Sequence, residues 1–401
     1  MDQKEVLFRR KIVHLRLNEN MRPSWISPGE KIPVFLDEAY CLAPEARALA
    51  TFEYNGVECA ACIKRPEGIE FAFDVDKAIS DITDEAYLTK QRPLTSRLWF
   101  NYRSIPSGFR VMAAKGLSFR KRSDSDRMDF PDWPVDKSIE ALSYLKKVTQ
   151  GSDEKSLWPE GKKFAFCATH DLESRQGFKD IERLVNIDKS FGFKACWNVP
   201  IMLIESHGEC IERLRASGCE IGCHGYNHDN KFAFLKKEKM RVRLERCAKY
   251  IEQYEMKGFR SPSLLRSPEL MEELSGYFKF DSSYPDTDAF SETGERNGCS
   301  RIRPFFINRI LELPITMPMD SSMLFMGYDH EKMLQVWLKK LDWLRERQGM
   351  ALINVHCHRP FSLKGKVYDA YERLLGVVAK DRNCWRASAG DIAKFIVENK
   401  T

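Results

Sequence analysis

Two histidines four residues apart, His224 and His228, follow directly on the short run Glu220-Ile221-Gly222-Cys223. Neutral imidazole nitrogen is a good zinc ligand. Four residues is one helical turn, so the spacing predicts both rings on one helix face, within reach of one ion. A carboxylate as third protein ligand leaves a position for water, as a hydrolytic metal site requires. Carboxylates stand in Thr169-His170-Asp171-Leu172-Glu173, at the end of the apolar run 164–168. A third apolar run, 351–355, ends in His356-Cys357-His358. Of the eight histidines in the chain, five (170, 224, 228, 356, 358) stand at these three ends. An HxxxH alone is weak evidence, and an Asp and a Glu two apart are commonly loop charges or a helix cap. The weight lies in their recurrence at successive strand ends.

Such side chains need a scaffold that brings strand ends together. From about residue 162 the pattern alternates short apolar strands with amphipathic helices. Strands are expected at 164–168, 194–199, 220–221 and 351–355. Helices are expected through Ile181, Leu184, Ile187 and Phe191, through Cys210, Ile211 and Leu214, through Met240, Leu244, Cys247, Ile251 and Tyr254, and through Leu334, Trp337, Leu341 and Leu344. Strand–helix alternation over about 240 residues argues for a parallel sheet with helices outside, the size of a (β/α) barrel, whose chemistry sits at the C-terminal strand ends. The first third is β-rich. Asn55-Gly56 is a hairpin signal, residues 69–75 alternate like a half-buried strand, and strands mixed with loops continue to about Phe119. Residues 123–134 are polar and then Pro-rich, a linker, and a helix is expected to start near Asp136 with Ile139, Leu142 and Leu145 on one side. The expected division is an accessory β-rich domain with linker over 1–135 and a catalytic barrel over 136–401.

Composition excludes several classes. The 401 residues are 43% hydrophobic and 30% charged, an ordinary globular balance. The net charge of +6 is mild, and the dense basic run Arg120-Lys121-Arg122 sits beside Asp124 and Asp126. That reads as a solvated loop, so no nucleic-acid partner is expected. No apolar run approaches the roughly 20 residues of a membrane-spanning helix. The first residues hold no apolar core of signal-peptide length, so a cytoplasmic location is expected. The twelve cysteines are then reduced thiols. Cys59 and Cys62 have CxxC spacing but no second pair, and on a strand they point to opposite faces, so a structural role is expected.

These residues resemble the motifs of NodB-type polysaccharide deacetylases, carbohydrate esterase family 4, over 163 to about 395. Gly218-Cys219-Glu220-Ile221-Gly222-Cys223-His224 through His228 resembles that family's GHEIGxHxxxH motif, with Cys219 in place of a histidine. Residues 169–173 resemble its TFDD motif, Arg260-Ser261-Pro262 its RxP, Asp281-Ser282-Ser283-Tyr284 its fourth motif, and 352–356 its histidine-bearing last strand. The resemblance implies an α/β fold, a distorted (β/α)7-type barrel. It also implies metal-dependent removal of N- or O-acetyl groups from a sugar or oligosaccharide bearing acetamido groups. Zinc or another divalent ion would be held by Glu173, His224 and His228, with Asp171 as general base and His356 as general acid. The second Asp of TFDD falls on Leu172, which cannot bind a metal, so Glu173 takes that role; Asp171 on the metal stays open. His358 stays open as the acid. Arg260 is expected to hold Asp171 ionised. Asp281 pairs with Arg260 or caps a turn, and with Tyr284, a ring able to stack on a sugar, it is the candidate for holding substrate. His170 stands where the family usually has an aromatic and either packs or takes part. Two other readings stay open: an amidohydrolase of the same fold acting on a non-sugar amide, and a non-catalytic glycan-binding relative. Oligomeric state is not read from the sequence.

Overall fold

Buried and exposed positions alternate along Val13-His14-Leu15-Arg16-Leu17, and that alternation builds the first layer. The structure, a computed structural model, describes residues 6–42, 48–66, 68–89, 92–98, 130–150, 157–291, 293, 295–358 and 361–399. The expected strands and loops at 99–119, the basic run at 120–122 and most of the linker lie outside these residues. Strand β1 (Val6–Leu17) is flanked by β2 (Ile32–Tyr40) and β3 (Ala48–Tyr54), followed by β4 (Val57–Arg65) and β5 (Gly68–Phe71), in the antiparallel order β2-β1-β3-β4-β5. The β3–β4 turn carries Asn55 and Gly56 at φ 50° and 77°, the left-handed pair that a two-residue hairpin needs. Cys62 is buried and Cys59 half-buried, both free, and burial pushes the Cys62 thiol up to about 12, an unreactive structural cysteine.

The strand expected over 69–75 stops at Phe71. The Asp74 carboxylate accepts the Lys77 N–H at 2.9 Å and caps helix α1 (Val75–Thr83), so a cap ends the alternation early. Helix α2 (Ser138–Gln150) starts two residues after Asp136, whose Oδ1 accepts the Ser138 N–H at 3.0 Å. Both helices pack on the N-terminal sheet.

The second sheet is built from short, wholly buried strands: β6 (Phe164–Asp171), β7 (Cys196–Val199), β8 (Glu220–Cys223), β9 (Gly258–Phe259), β10 (Phe280–Asp281), β11 (Phe305–Ile307), β12 (Ile310–Glu312), β13 (Met350–Asn354) and β14 (Cys384–Arg386). Its order is β11-β12-β10-β9-β8-β7-β6-β13, with β14 beside β6. From β12 through β10, β9, β8, β7 and β6 to β13 every neighbour is parallel, a path of seven strands, and β14 pairs parallel with β6 beside it. The sheet curls until its edges meet: the Met317 N–H donates to the Leu352 carbonyl at 3.0 Å and the Leu352 N–H to Thr316 Oγ1 at 3.0 Å. The fold is therefore the distorted (β/α)7-type barrel that the resemblance implies. Helices α3 (Ile181–Ser190), α4 (Ile201–Ala216), α5 (Lys237–Gln253), α6 (Pro268–Leu274), α7 (Asp320–Phe325), α8 (His330–Glu346), α9 (Lys366–Lys380) and α10 (Ala389–Glu398) surround it. No helix among the described residues is long and apolar enough to cross a membrane.

The layers share one continuous core. Trp25 meets Trp343 of α8 with ring centroids 5.5 Å apart. Glu140 of α2 takes Arg303 at 2.7 Å and Arg347 at 3.0 Å, and the buried Lys340 donates to the Pro134 carbonyl at 2.7 Å. Leu352, fully buried at the barrel seam, tests this packing. Leu352→Ala is expected to cost about 2–5 kcal/mol, read as a lower urea midpoint. Val57→Ala, at an exposed hairpin position, is expected to move stability by less than about 0.5 kcal/mol. Equal midpoints for the two variants would refute the seam as described.

Candidate metal-binding and acid–base site

Alternation along β6 decides which of its terminal side chains can meet. Thr169 and Asp171 face the barrel interior, and His170 faces the outer helices. Past the strand end the same alternation puts Leu172, fully buried, away from the site and Glu173 into it. Glu173 Oε1 lies 3.0 Å from His228 Nε2, 3.9 Å from His224 Nε2 and 3.8 Å from His356 Nε2. One ligand atom from each of Glu173, His224 and His228 lies within 4.8 Å of the others, and this is the one such cluster among the described residues.

The two histidines converge, but not on a helix. His224 follows β8, with its N–H on the Val199 carbonyl at 3.0 Å. Gly225 then turns at φ +71°, and a loop, not a helical turn, brings His228 back. A left-handed glycine two residues after the strand breaks the helical register that the spacing suggested.

The donor set fits a divalent ion. His224 Nδ1 lies 2.9 Å from the Arg260 carbonyl, which can only accept, so Nδ1 carries the hydrogen. Its Nε2 is thereby left a buried lone pair with no hydrogen-bond partner. An orphaned imidazole nitrogen beside a second imidazole and a carboxylate is what a tetrahedral zinc site with an open position uses.

Asp171 stands outside that cluster and is held differently. Its Oδ1 accepts from Arg260 Nη1 at 2.9 Å and Asn198 Nδ2 at 2.9 Å, and its Oδ2 from Asn354 Nδ2 at 2.8 Å. Burial alone would raise its pKa, but the Arg260 guanidinium, with His224 and His356, outweighs it and holds the carboxyl well below the usual range. Arg260, fully buried, spends its other donors on Thr169 Oγ1, the Ser282 carbonyl and Ser282 Oγ, each at 2.9 Å.

Beside the cluster, His356 Nδ1 lies 2.6 Å from Asp320 Oδ1, and the His356 N–H donates to Asp320 Oδ2 at 2.8 Å. Burial would lower the imidazole's pKa. Asp320, then Glu173 and Asp171, reverse this and push it up to about 9, so the ring is cationic at neutral pH.

The expected residues divide into two groups. Asp171, Glu173, His224, His228, Arg260 and His356 come together. His358 stands at the margin, its Nδ1 3.1 Å from Ser174 Oγ and its ring 5.0 Å from that of Phe361. Asp281 and Tyr284 do not offer themselves to a substrate, which corrects that expectation. Asp281 is fully buried, accepts the Ser283 N–H and hydroxyl at 3.1 and 2.8 Å, and caps that turn; no bond to Arg260 forms. Burial raises the Asp281 carboxyl and, with Asp281 beside it, raises that of Glu312 well above the usual range. Tyr284 is buried with the Arg266 guanidinium 4.7 Å over its ring. His170 is a packing residue: Nδ1 donates to the Val355 carbonyl at 2.9 Å, Nε2 meets Asp188 at 3.0 Å, and its ring lies 4.6 Å from that of Trp197. Asp320, Asn198 and Asn354 carry parts the sequence reading missed. The asparagines were findable as polar residues closing apolar strands. Asp320 had no signal, because 36 residues separate it from His356.

Residues 179–275 match the family described as polysaccharide deacetylase, a span that contains His224, His228 and Arg260. A peptidoglycan deacetylase of Helicobacter pylori is 23% identical over 247 residues, 53% of this chain and 82% of that protein. Among solved structures, PuuE allantoinase superposes with a TM-score of 0.51 at 14% identity, covering 68% of this chain and 99% of its own, and shows the same fold. A Mycobacterium smegmatis protein grouped with the polysaccharide deacetylases has a TM-score of 0.49 at 19% identity, covering 62% of this chain and 96% of its own. Within the barrel, residues 179–275 are therefore similar to the polysaccharide deacetylases.

The His356–Asp320 contact sets a pH limit. A group whose pKa is raised keeps its proton as pH rises towards the raised value, so a reaction needing cationic His356 declines only as pH approaches about 9. Asp320→Asn removes the largest raising partner. The alkaline limb of the rate–pH profile is expected to move towards neutral pH with metal content unchanged; a limb that stays in place would show that Asp320 does not set it.

Proposed function

We propose that this NodB-type domain hydrolyses N-acetyl groups of a sugar or polysaccharide precursor, using a divalent ion, zinc, held by Glu173, His224 and His228. One observation carries the reading: beside that triad stand an ionised, triply hydrogen-bonded Asp171 and a cationic His356 whose Nε2 lies 3.8 Å from Glu173. A base and an acid beside one ligand cluster are the parts that amide hydrolysis needs. The Helicobacter pylori relative, named for peptidoglycan, supports an acetylated glycan as substrate. Residues 1–135 are read as accessory to the barrel.

The ion, when bound, supplies Lewis acidity and a water of lowered pKa. Asp171, kept ionised by Arg260 and oriented by Asn198 and Asn354, takes the proton of the attacking water as its oxygen bonds to the acetyl carbon. His356, kept protonated by Asp320, gives its proton to the departing nitrogen as the C–N bond breaks. Acetate and the free amine leave. Leu172, which departs from the family motif, does not disable the site in this reading, because Glu173 supplies the missing carboxylate.

Chelation is expected to abolish acetate release and added zinc to restore it, with His224→Gln unable to retain the metal by elemental analysis. A metal-free protein that releases acetate would sink the reading.

His356→Ala is expected to slow turnover about 100-fold or more at unchanged metal content. If His358→Ala does this and His356→Ala does not, the acid is misassigned. The screen runs acetylated hexosamines and their nucleotide derivatives beside small cyclic amides, since the allantoinase likeness in fold motivates that second class. Ring opening without acetate release would favour the amide reading, and activity unchanged by Asp171→Asn would count against any hydrolase.

A further inference from the structure

The N-terminal layer reaches into the supports of the site. Glu85, just past α1, is buried and holds a left-handed backbone at φ +55°. Its carboxylate takes both arms of the Arg266 guanidinium, Nε on Oε2 at 2.7 Å and Nη2 on Oε1, and accepts the Gly298 N–H at 2.8 Å. Arg266 passes the contact on. Its Nη1 donates to the Leu264 carbonyl at 2.7 Å and to the Ser283 carbonyl at 3.4 Å.

Those two carbonyls belong to the loops that hold Arg260. The first loop runs from Arg260 itself to Leu264. The second supplies the Ser282 carbonyl and hydroxyl that Arg260 grips, and the Ser283 hydroxyl that accepts the Ser261 N–H at 2.8 Å. A second contact lies nearer the metal ligands. Thr95 Oγ1 accepts from Asn230 Nδ2 at 3.3 Å, and Asn230, two residues past His228, accepts from Ser263 Oγ at 3.0 Å. Asn230, Ser263 and Leu264 all carry positive φ, at 60°, 53° and 53°. Non-glycine residues keep such angles only where their surroundings over-determine them, and here the surroundings include the N-terminal layer.

We propose that the N-terminal layer completes the catalytic unit, and that Glu85 is a positioning residue for the Arg260–Asp171 pair, acting through Arg266. A bidentate carboxylate–guanidinium pair is rigid in two directions, unlike a single contact, so it can fix the carbonyls on which Arg266 rests. The activity arm of the test rests on the deacetylase reading; the exchange arm does not.

The test uses the full chain loaded with zinc. In Glu85→Gln the turnover per folded, metal-loaded molecule is expected to fall about tenfold or more at near-constant KM, since small misplacements of positioned groups cost that much. Metal content stays unchanged. Amide exchange is expected to accelerate over 259–266 and 281–285, while 220–223 stays protected. Exchange confined to 83–89 and 296–300, with unchanged turnover, would show a local structural role and overturn the proposal. Should that variant fail to fold, Arg266→Lys keeps the charge and loses the fork. It is expected to loosen the same two loops, and wild-type exchange there would overturn the proposal equally. A wild-type protein that releases no acetate refutes the deacetylase reading alone, because the exchange pattern still decides the role of Glu85.

Discussion

The ion pair between Arg260 and Asp171, 2.9 Å apart and both buried, is the constraint from which the rest of the site follows. Two charges leave water together only if every remaining donor and acceptor finds a partner, and a buried pair that loses one member is costly. Here the partners come from five strand ends. Thr169 and Asp171 close β6, Asn198 lies in β7, Arg260 follows β9, Ser282 follows β10 and Asn354 closes β13. Satisfying one pair thus fixes the mutual placement of most of the barrel's working rim. The same contacts decide the chemistry, because a carboxylate ringed by donors stays ionised despite burial.

The acid side repeats the principle with the charges exchanged. His356 is buried, and burial opposes its proton, but Asp320 grips both its ring nitrogen and its backbone N–H. The Glu173 carboxylate beside the two imidazoles of the ligand cluster suits a cation there. The bystanders fit as well. His170 points outward and ties the strand before Asp171 to the carbonyl before His356, and behind the Ser282 loop burial raises the carboxyls of Asp281 and Glu312.

Legibility of the sequence varied with the range of the interaction concerned. The strands expected to end at 168, 221 and 355 end at 171, 223 and 354, because short apolar runs terminate in polar residues, and period-two alternation then separates Glu173 from Leu172. The hairpin at Asn55-Gly56 was readable because its requirement is local. The His224–His228 spacing misled, since Gly225 turned the chain out of helix. The strand expected to run to Val75 ended at Phe71 because Asp74 prefers to cap a helix. Tyr284 looked like a substrate platform and is covered by Arg266, a contact that depends on a loop and on Glu85 from far along the chain.

The amino-acid sequence by itself determined the barrel, the strand ends at which chemistry collects, and the residue types Glu173, His224, His228, Asp171 and His356. These follow from hydrophobic period and from motifs whose spacing is local. Only the tertiary structure decided that Glu173 and not Asp171 joins the two histidines, that Asp320 serves His356, that Asp281 supports rather than binds, and that the N-terminal layer touches the loops of Arg260. Each of those depends on partners tens to hundreds of residues apart. Their meeting is set by how the strands close and which buried charges must be paired, and neither is written in any local pattern.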